Sequence, residues 1–259
     1  MVKKVLFFGI VCFFATISVA NAQTYDPTNV AVINALITNN GLEATPDAPE
    51  TWDFAIWNDE TPKQIIRLNL YERNMIGAAS FAGLNSLEFL WCTDNNLSEL
   101  DVSNNSALER LECDSNTLSE LDVSNNLTLE TLYCDSNNLS ELDISNNLTL
   151  GWLICGSNNL SQLDVTSNTA LRWLFCEYNN LSELDVTNNA ALSQMKCTGN
   201  KLSYVDLSNI NSVWQKTTFF KNRGGEIHPA GSFFGKFLRR FRKKSHNFFA
   251  LSIVNVKFC

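Results

Sequence analysis

The feature that most constrains this chain is a repeated phrase that runs from Leu87 to Ile210 with a period of about 21 residues. A leucine opens each unit, and an asparagine and an aspartate recur at the same step. A cysteine does so six times, at Cys92, Cys113, Cys134, Cys155, Cys176 and Cys197. A fixed period in this range is typical of solenoids, in which each unit buries its apolar edge against its neighbours. The sequence therefore predicts a repeat solenoid.

Each unit contains the alternation of a short strand. In the copy Leu129–Thr149, the apolar Leu132 and Cys134 alternate with Thr131 and Tyr133. This is the period of a strand with one buried face. Stacking the units places equivalent strands side by side, about 4.8 Å apart. We therefore expect a parallel sheet that grows by one strand per repeat.

The unit L-x-x-L-x-C-x-x-N-x-L-x-x-L-D-V-S-N-N-x-x resembles the leucine-rich repeat of exported bacterial proteins, with cysteine in the third apolar place. The resemblance implies an α/β protein by convention, mostly β, with its parallel sheet on the concave face and an N-terminal helical cap. It also implies an interaction role, and it brings no catalytic residue. In this family the asparagine amides bond to the backbone as a ladder, which here would comprise Asn95, Asn116, Asn137, Asn158, Asn179 and Asn200.

The six repeat cysteines occupy the inward strand position, so we predict buried free thiols. Eight cysteines in an exported chain would ordinarily indicate disulfides. Side chains on adjacent parallel strands, however, are poorly oriented for the disulfide dihedral angle. No C-x-x-C pair indicates a metal site. A free cysteine in such a place behaves as a small apolar residue.

The N-terminal residues 1–22 have the pattern of a secretory signal peptide. Lys3 and Lys4 precede an apolar run, and Ala20-Asn21-Ala22 is a small-residue cleavage site. We expect the mature chain to begin at Gln23 and to be secreted or held at the cell surface. No second apolar stretch reaches the roughly 20 residues needed to cross a bilayer.

Two further boundaries divide the rest of the chain. Residues 23–64 are predicted to form an N-terminal cap, with helical signals between Asp26 and Gly41. Two tryptophans, Trp52 and Trp57, follow; they are interpreted as an aromatic plug, with a sugar site as the less favoured alternative. Residues 65–212 are predicted to form the solenoid, in which Arg73 replaces the first ladder asparagine.

The tail, residues 213–259, departs from the repeat in period and in charge. Its segment 233–244 has helical spacing of phenylalanines among basic residues, so it could bind a membrane surface or an acidic partner. Alternatively, the loss of period and the reversal of charge indicate a shifted reading frame. Both explanations stay open.

The repeat block is strongly acidic. Residues 24–215 contain seven basic and 26 acidic residues, so their formal net charge is 7 − 26 = −19. Glutamate often stands two residues before the repeated aspartate, as Glu141 does before Asp143. A solvated acidic stripe is the favoured interpretation, and calcium binding is the alternative.

Residues for catalysis are lacking. The two histidines, His228 and His246, lie in the tail, and no phosphate-binding glycine motif occurs. The carboxylates recur in every unit, whereas a catalytic pair should interrupt the repeat. We therefore predict no enzyme, no cofactor, no metal and no nucleic-acid partner.

The variable positions are the strand residues that point away from the core. Each of the six repeats contributes two such residues. Seven of these twelve residues are aromatic or isoleucine, and a patch of that kind typically marks a binding site. Stacking that merely stabilises the sheet is the alternative. We predict a protein-binding adaptor or adhesion module with a concave aromatic face; a structural spacer and a glycan-binding module are the alternatives. The predicted partner-binding residues are Phe89, Trp91, Tyr133, Trp152, Ile154, Trp173, Phe175 and Tyr178.

Overall fold

The computed structural model describes residues 24–203 and 205–206. The predicted signal peptide (1–22) and basic tail (213–259, with its segment 233–244) lie outside the described residues, as do positions 207–212 of the predicted solenoid.

One helix precedes the repeats. Helix α1 spans Pro27–Asn40 and begins after Asp26. The Asp26 side chain accepts from the backbone nitrogens of Thr28 at 2.7 Å and Asn29 at 3.3 Å. The helix ends at Gly41, which has the left-handed conformation (φ 73°) that a residue without a side chain adopts freely. A short 3-10 helix follows at Pro49–Thr51. The N-terminal helix predicted from these capping residues is therefore present.

The main sheet has eight strands. In order across the sheet they are β1 (Ala55–Trp57), β2 (Ile65–Asn69), β4 (Phe89–Trp91), β6 (Arg110–Glu112), β7 (Thr131–Tyr133), β8 (Trp152–Ile154), β9 (Trp173–Phe175) and β10 (Gln194–Lys196). Strands β1 and β2 pair in antiparallel fashion, and the remaining pairs of this sheet are all parallel. The predicted parallel sheet of a solenoid is confirmed.

A second limb of each repeat returns on the other side of the core. In the first repeats this limb contains a two-stranded parallel sheet of β3 (Ile76–Ser80) and β5 (Asn96–Asp101). Later repeats keep the backbone pairing without regular strands, as where the nitrogen of Asn138 donates to the carbonyl of Leu118 at 2.8 Å. Each repeat unit therefore forms one turn of the solenoid.

The core lies between the two limbs and is continuous along the stack. In the unit that starts at Leu87, the side chains of Leu90, Cys92, Leu97 and Val102 are fully buried, and equivalent residues of the other units continue the row. Helix α1 and the segment after it join the same core.

Trp52 belongs to this core rather than to a sugar site. Its side chain is buried, and its Nε1 donates to the carbonyl of Thr45 at 2.9 Å. A ring enclosed in this way cannot stack on a sugar.

Candidate functional site

The asparagines that end the strands bind the preceding repeat. The Oδ1 of Asn137 accepts from the nitrogen of Leu118 at 3.0 Å. Its Nδ2 donates to the carbonyl oxygens of Cys113 at 3.0 Å and Cys134 at 3.2 Å. Asn116, Asn158, Asn179 and Asn200 make the equivalent bonds.

Asn95 is the first member of this ladder, and its Oδ1 accepts one bond more than the others. Its Oδ1 accepts from the nitrogens of Arg73 at 3.1 Å and Met75 at 2.9 Å. Its Nδ2 donates to the carbonyl of Leu70 at 2.8 Å. An asparagine side chain thus holds the divergent first repeat, as asparagines hold the regular repeats.

A second column of asparagines runs along the other side of the core, and the sequence analysis missed it. Each of these side chains is fully buried, and its Nδ2 donates to two backbone carbonyls of the preceding repeat; Asn147, for example, contacts Val123 at 3.0 Å and Asn126 at 2.9 Å. Its Oδ1 has no hydrogen-bond partner in the described structure. The column comprises Asn105, Asn126, Asn147, Asn168 and Asn189. The regular recurrence of the second asparagine in the S-N-N phrase was the available signal.

The turn after each strand requires a residue with a left-handed backbone conformation two positions beyond the cysteine. Tyr178 occupies this place with φ 55° and is 64% exposed. In the next repeat the place belongs to Gly199, where a Cβ atom would lie 2.5 Å from Cδ1 of Tyr178. Glycine at 199 therefore leaves room for the projecting ring of Tyr178. The other residues at this place are Asp94, Ser115, Ser136 and Ser157.

The six repeat cysteines are free and buried. Burial raises the pKa of the Cys134 thiol far above its ordinary value, because the core does not solvate a thiolate. Burial also raises the pKa of Cys197, to about 11. These side chains pack as small apolar groups along the solenoid.

The outward strand side chains form two parallel rows, which together we call the outer sheet face. Strand pairing sets each row. The first row is Arg67, Phe89, Arg110, Thr131, Trp152, Trp173 and Gln194, and the second is Asn69, Trp91, Glu112, Tyr133, Ile154, Phe175 and Lys196.

The aromatic residues of this face fall into two groups. Trp152 and Trp173 are direct neighbours on β8 and β9, as are Ile154 and Phe175. The rings of Trp173 and Phe175 stack with centres 6.0 Å apart. The second group is Phe89 and Trp91 on β4, whose ring centres lie 5.8 Å apart. All these side chains are half-buried.

The strands between the two groups are mostly polar. Arg110 forms an ion pair with Glu112, and its guanidinium lies 5.4 Å from the ring centre of Tyr133. Thr131 was expected to project from the sheet, but its side chain is buried between the larger Arg110 and Trp152, its neighbours in the same row.

The basic side chains of the face contact aromatic rings. The guanidinium carbon of Arg67 lies 4.3 Å from the ring centre of Phe89, and Nζ of Lys196 lies 4.2 Å from that of Phe175. Cation–π contacts of this kind hold the rings and engage the positive charges.

Carboxylates lie along the edge of the face, at the position after three of the six cysteines. Burial raises the pKa of Asp114 to about 6, and the nearby charge of Asp135 contributes to this rise. The hydrogen bond that Thr93 donates to Asp114 lowers this pKa and offsets part of the rise. Burial likewise raises the pKa of Asp135, with a contribution from Glu177. Gly156 holds the intervening place, where the Glu177 side chain lies 3.2 Å from the position of a Cβ atom. Asp114, Asp135 and Glu177 together form what we call the acidic rim.

An open hollow of about 410 Å³ lies between the face and the acidic rim, and we call it the N-terminal hollow. One side is lined by four residues of the second row, Asn69, Trp91, Glu112 and Tyr133. The other side is lined by the residues that follow these four by two positions, just beyond the strand ends. They are Tyr71, Thr93, Asp114 and Asp135. Three aromatic rings and three carboxylates thus surround one space.

Within the described ranges, no three residues among His, Cys, Asp and Glu are arranged to hold a metal ion. No helix in that part of the chain is long and apolar enough to cross a membrane.

Solved structures share this architecture. The leucine-rich repeat ectodomain of the Arabidopsis thaliana receptor kinase GASSHO1/SCHENGEN3, in complex with CASPARIAN STRIP INTEGRITY FACTOR 2, superposes with a TM-score of 0.57 at 20% identity, over 68% of this chain and 24% of that one. The chain folds as a leucine-rich repeat solenoid.

Two bacterial leucine-rich repeat structures are also similar to this solenoid. The functional domain of InlJ from Listeria monocytogenes, which includes a cysteine ladder, matches at 27% identity over 64% of this chain and 44% of its own, with a TM-score of 0.44. A Leptospira interrogans protein matches at 22% identity over 49% and 36%, with a TM-score of 0.47. The chain spans less than half the length of each of these three structures. No protein-family model and no curated protein matches it.

Proposed function

We propose that this leucine-rich repeat solenoid is an exported, non-enzymatic adaptor or adhesion module that binds a protein partner on its outer sheet face. The observation that carries the proposal is the group of large apolar side chains at adjacent positions on β8 and β9, namely Trp152, Ile154, Trp173 and Phe175. Tyr133 on β7 adjoins Ile154 in the same row and extends the group.

The chemistry of this group favours binding over scaffolding. The rings are half-buried rather than enclosed, and the buried core beneath them is built from smaller side chains such as Leu153, Cys155 and Val165. Leaving several such rings accessible on one face lowers solubility unless a partner covers them. Tryptophan and tyrosine are also the residues most enriched among those that dominate binding energy at protein interfaces.

The repeat architecture supports a role without catalysis. The described residues contain no histidine, and their acidic residues recur with the period of the fold. The signal-peptide pattern of residues 1–22 supports export, to the extracellular space or the cell surface. Residues 23–64 act in this proposal as the cap that covers the first repeat, and residues 65–212 as the solenoid.

The deciding experiment removes the two neighbouring indoles. The full-length wild-type protein should recover an extracellular protein partner after chemical cross-linking. The double variant Trp152→Ala with Trp173→Ala should no longer recover it. The matched control is Leu127→Ala with Leu148→Ala, because these leucines are 59% exposed and lie outside the face. Circular dichroism and the melting temperature should be unchanged in both variants.

Two outcomes would contradict the proposal. If the tryptophan variant melts at a lower temperature and keeps its partner, the rings stabilise the sheet, as a spacer would require. If purified glycans compete for the face while no protein is recovered, the face is a glycan site.

A further inference from the structure

We propose that the N-terminal hollow receives an arginine side chain of the protein that docks on the outer sheet face. This inference rests on the proposed function, because the hollow opens beside that face and shares its second row of residues. It adds the chemistry that the partner must present at one place.

The walls of the hollow match a planar cation. Tyr71, Trp91 and Tyr133 present aromatic rings, and a guanidinium is attracted to such rings and stacks on them. Trp91 and Tyr133 stand two strands apart in one row, a separation of about 10 Å at ordinary strand spacing. Glu112 lies between them in this row, and the guanidinium of Arg110 already lies 5.4 Å from the Tyr133 ring centre. The rings that remain for an incoming guanidinium are those of Trp91 and Tyr71.

Asp114 and Asp135, on one side of the hollow, supply negative charge. Asp114 and Asp135 form no ion pair with any Lys or Arg of the described chain. Glu112 differs, since Arg110 already neutralises it. Two partly buried carboxylates side by side are costly to keep charged, and a guanidinium could donate hydrogen bonds to both at once.

The shape of the hollow favours a side chain over a free metal ion or a small molecule. The surrounding acids, like the others in the described ranges, are not arranged to hold a metal. The hollow is open to solvent, whereas sites for small ligands usually enclose most of the ligand. An arginine carried by a polypeptide that lies on the face would reach it directly. The net charge of −19 over residues 24–215 would also attract a basic partner over a longer range.

The test uses the tripeptide acetyl-Gly-Arg-Gly-amide and its neutral isostere, in which citrulline replaces arginine. The readout is the indole N–H resonance of Trp91 in the full chain, assigned by its loss in Trp91→Phe. The arginine peptide should shift this resonance saturably at low ionic strength, and the citrulline peptide should not. Asp114→Asn with Asp135→Asn should weaken binding by roughly tenfold or more, since charge-assisted hydrogen bonds are the strong ones.

The matched control is Glu120→Gln with Glu141→Gln, which removes the same charge at exposed positions of the same repeats. It should leave the affinity within about twofold, because these carboxylates do not line the hollow and the water around them weakens their attraction for a cation there. Equal binding of the citrulline peptide, equal weakening by the control, or no shift at millimolar peptide would each overturn the proposal.

A further variant separates this inference from the proposed function. Trp152→Ala with Trp173→Ala removes rings outside the hollow, so it should retain arginine-peptide binding. If the peptide fails to bind while these tryptophans are still required for the protein partner, the hollow inference falls and the proposed function stands. If the peptide binds and the tryptophans prove dispensable for the partner, the proposed face is wrong and the cation site remains.

Discussion

The side-chain oxygen of Asn137 lies 3.0 Å from the backbone nitrogen of Leu118, which belongs to the preceding repeat. The same side chain donates to Cys113, also in the preceding repeat. Each ladder asparagine thus completes the turn of the unit before its own. Buried backbone groups need such partners, because the core offers them no water.

Removing one ladder side chain should be costly. In Asn137→Ala the nitrogen of Leu118 loses its buried partner, at about 1–3 kcal/mol, while the carbonyl of Cys113 keeps only its bond from Asn116. The control is Asn138→Ala, whose exposed amide makes one bond of 3.3 Å to Thr117. Urea unfolding should show a large fall in the free energy of unfolding for the first variant only. Equal falls would mean that the ladder does not hold the turns.

The second asparagine column should contribute less per residue. Asn147 donates to two carbonyls, but its buried Oδ1 has no partner in the described structure. Asn147→Ala removes that unpaired oxygen together with the two bonds, so part of the loss is offset. We expect its fall in unfolding free energy to lie between those of Asn137→Ala and Asn138→Ala. A larger fall than that of Asn137→Ala would show that Oδ1 does find a partner.

The solenoid and its strands could be predicted because their signals are local and repeated. The alternation around Leu132 and Cys134 defines a strand in one unit, and the period places the next unit on it. The second asparagine column carried the same periodic signal, although it was overlooked beside the more familiar ladder.

The N-terminal hollow could not be predicted in this way. Tyr71 lies in the divergent first repeat, where the step from Leu68 to its strand partner Leu90 is one position longer than the step from Leu90 to Leu111. The size of the hollow depends on how Trp91 and its row neighbours pack across the strands. The ion pair between Arg110 and Glu112, which lies between the two aromatic groups, likewise depends on side-chain conformation and is not visible in a repeat pattern.

The repeat thiols should resist modification while the protein is folded. Burial raises their pKa values, so the reactive thiolate is scarce and inaccessible to reagent. Iodoacetamide labelling followed by mass spectrometry should leave Cys134 and Cys155 unmodified until denaturant is added. Cys197, with a pKa of about 11, should react first. Peptides from neighbouring repeats joined by a disulfide would contradict this prediction.

The carboxyl of Asp114 should make stability depend on pH. Its folded pKa is raised from 3.8 to about 6, mainly by burial, so the folded state holds a proton that the unfolded state releases. The resulting destabilisation is absent at low pH and grows as pH rises between these two values. Asp114→Asn should therefore raise the melting temperature at about pH 7 and change it little at about pH 4.

A control of opposite sign lies in the second limb. The backbone and side chain of Ser145 hold the pKa of Asp143 below its usual range, so that carboxylate stabilises the folded state at neutral pH. Asp143→Asn should bring no gain in melting temperature at about pH 7. If both substitutions stabilise the protein equally, general charge repulsion explains the gain and the local burial of Asp114 does not.

The backward reach of the asparagines has a consequence for synthesis on the ribosome. The partners of Asn137 lie 19 and 24 residues earlier in the chain. A newly made repeat therefore stays incomplete until its successor has emerged from the exit tunnel. The growing solenoid always ends in one unfinished turn, and translation delivers the side chain that closes it about one repeat later. A pause in elongation while such an asparagine is still inside the exit tunnel would prolong that interval, whereas a pause after it has emerged would not.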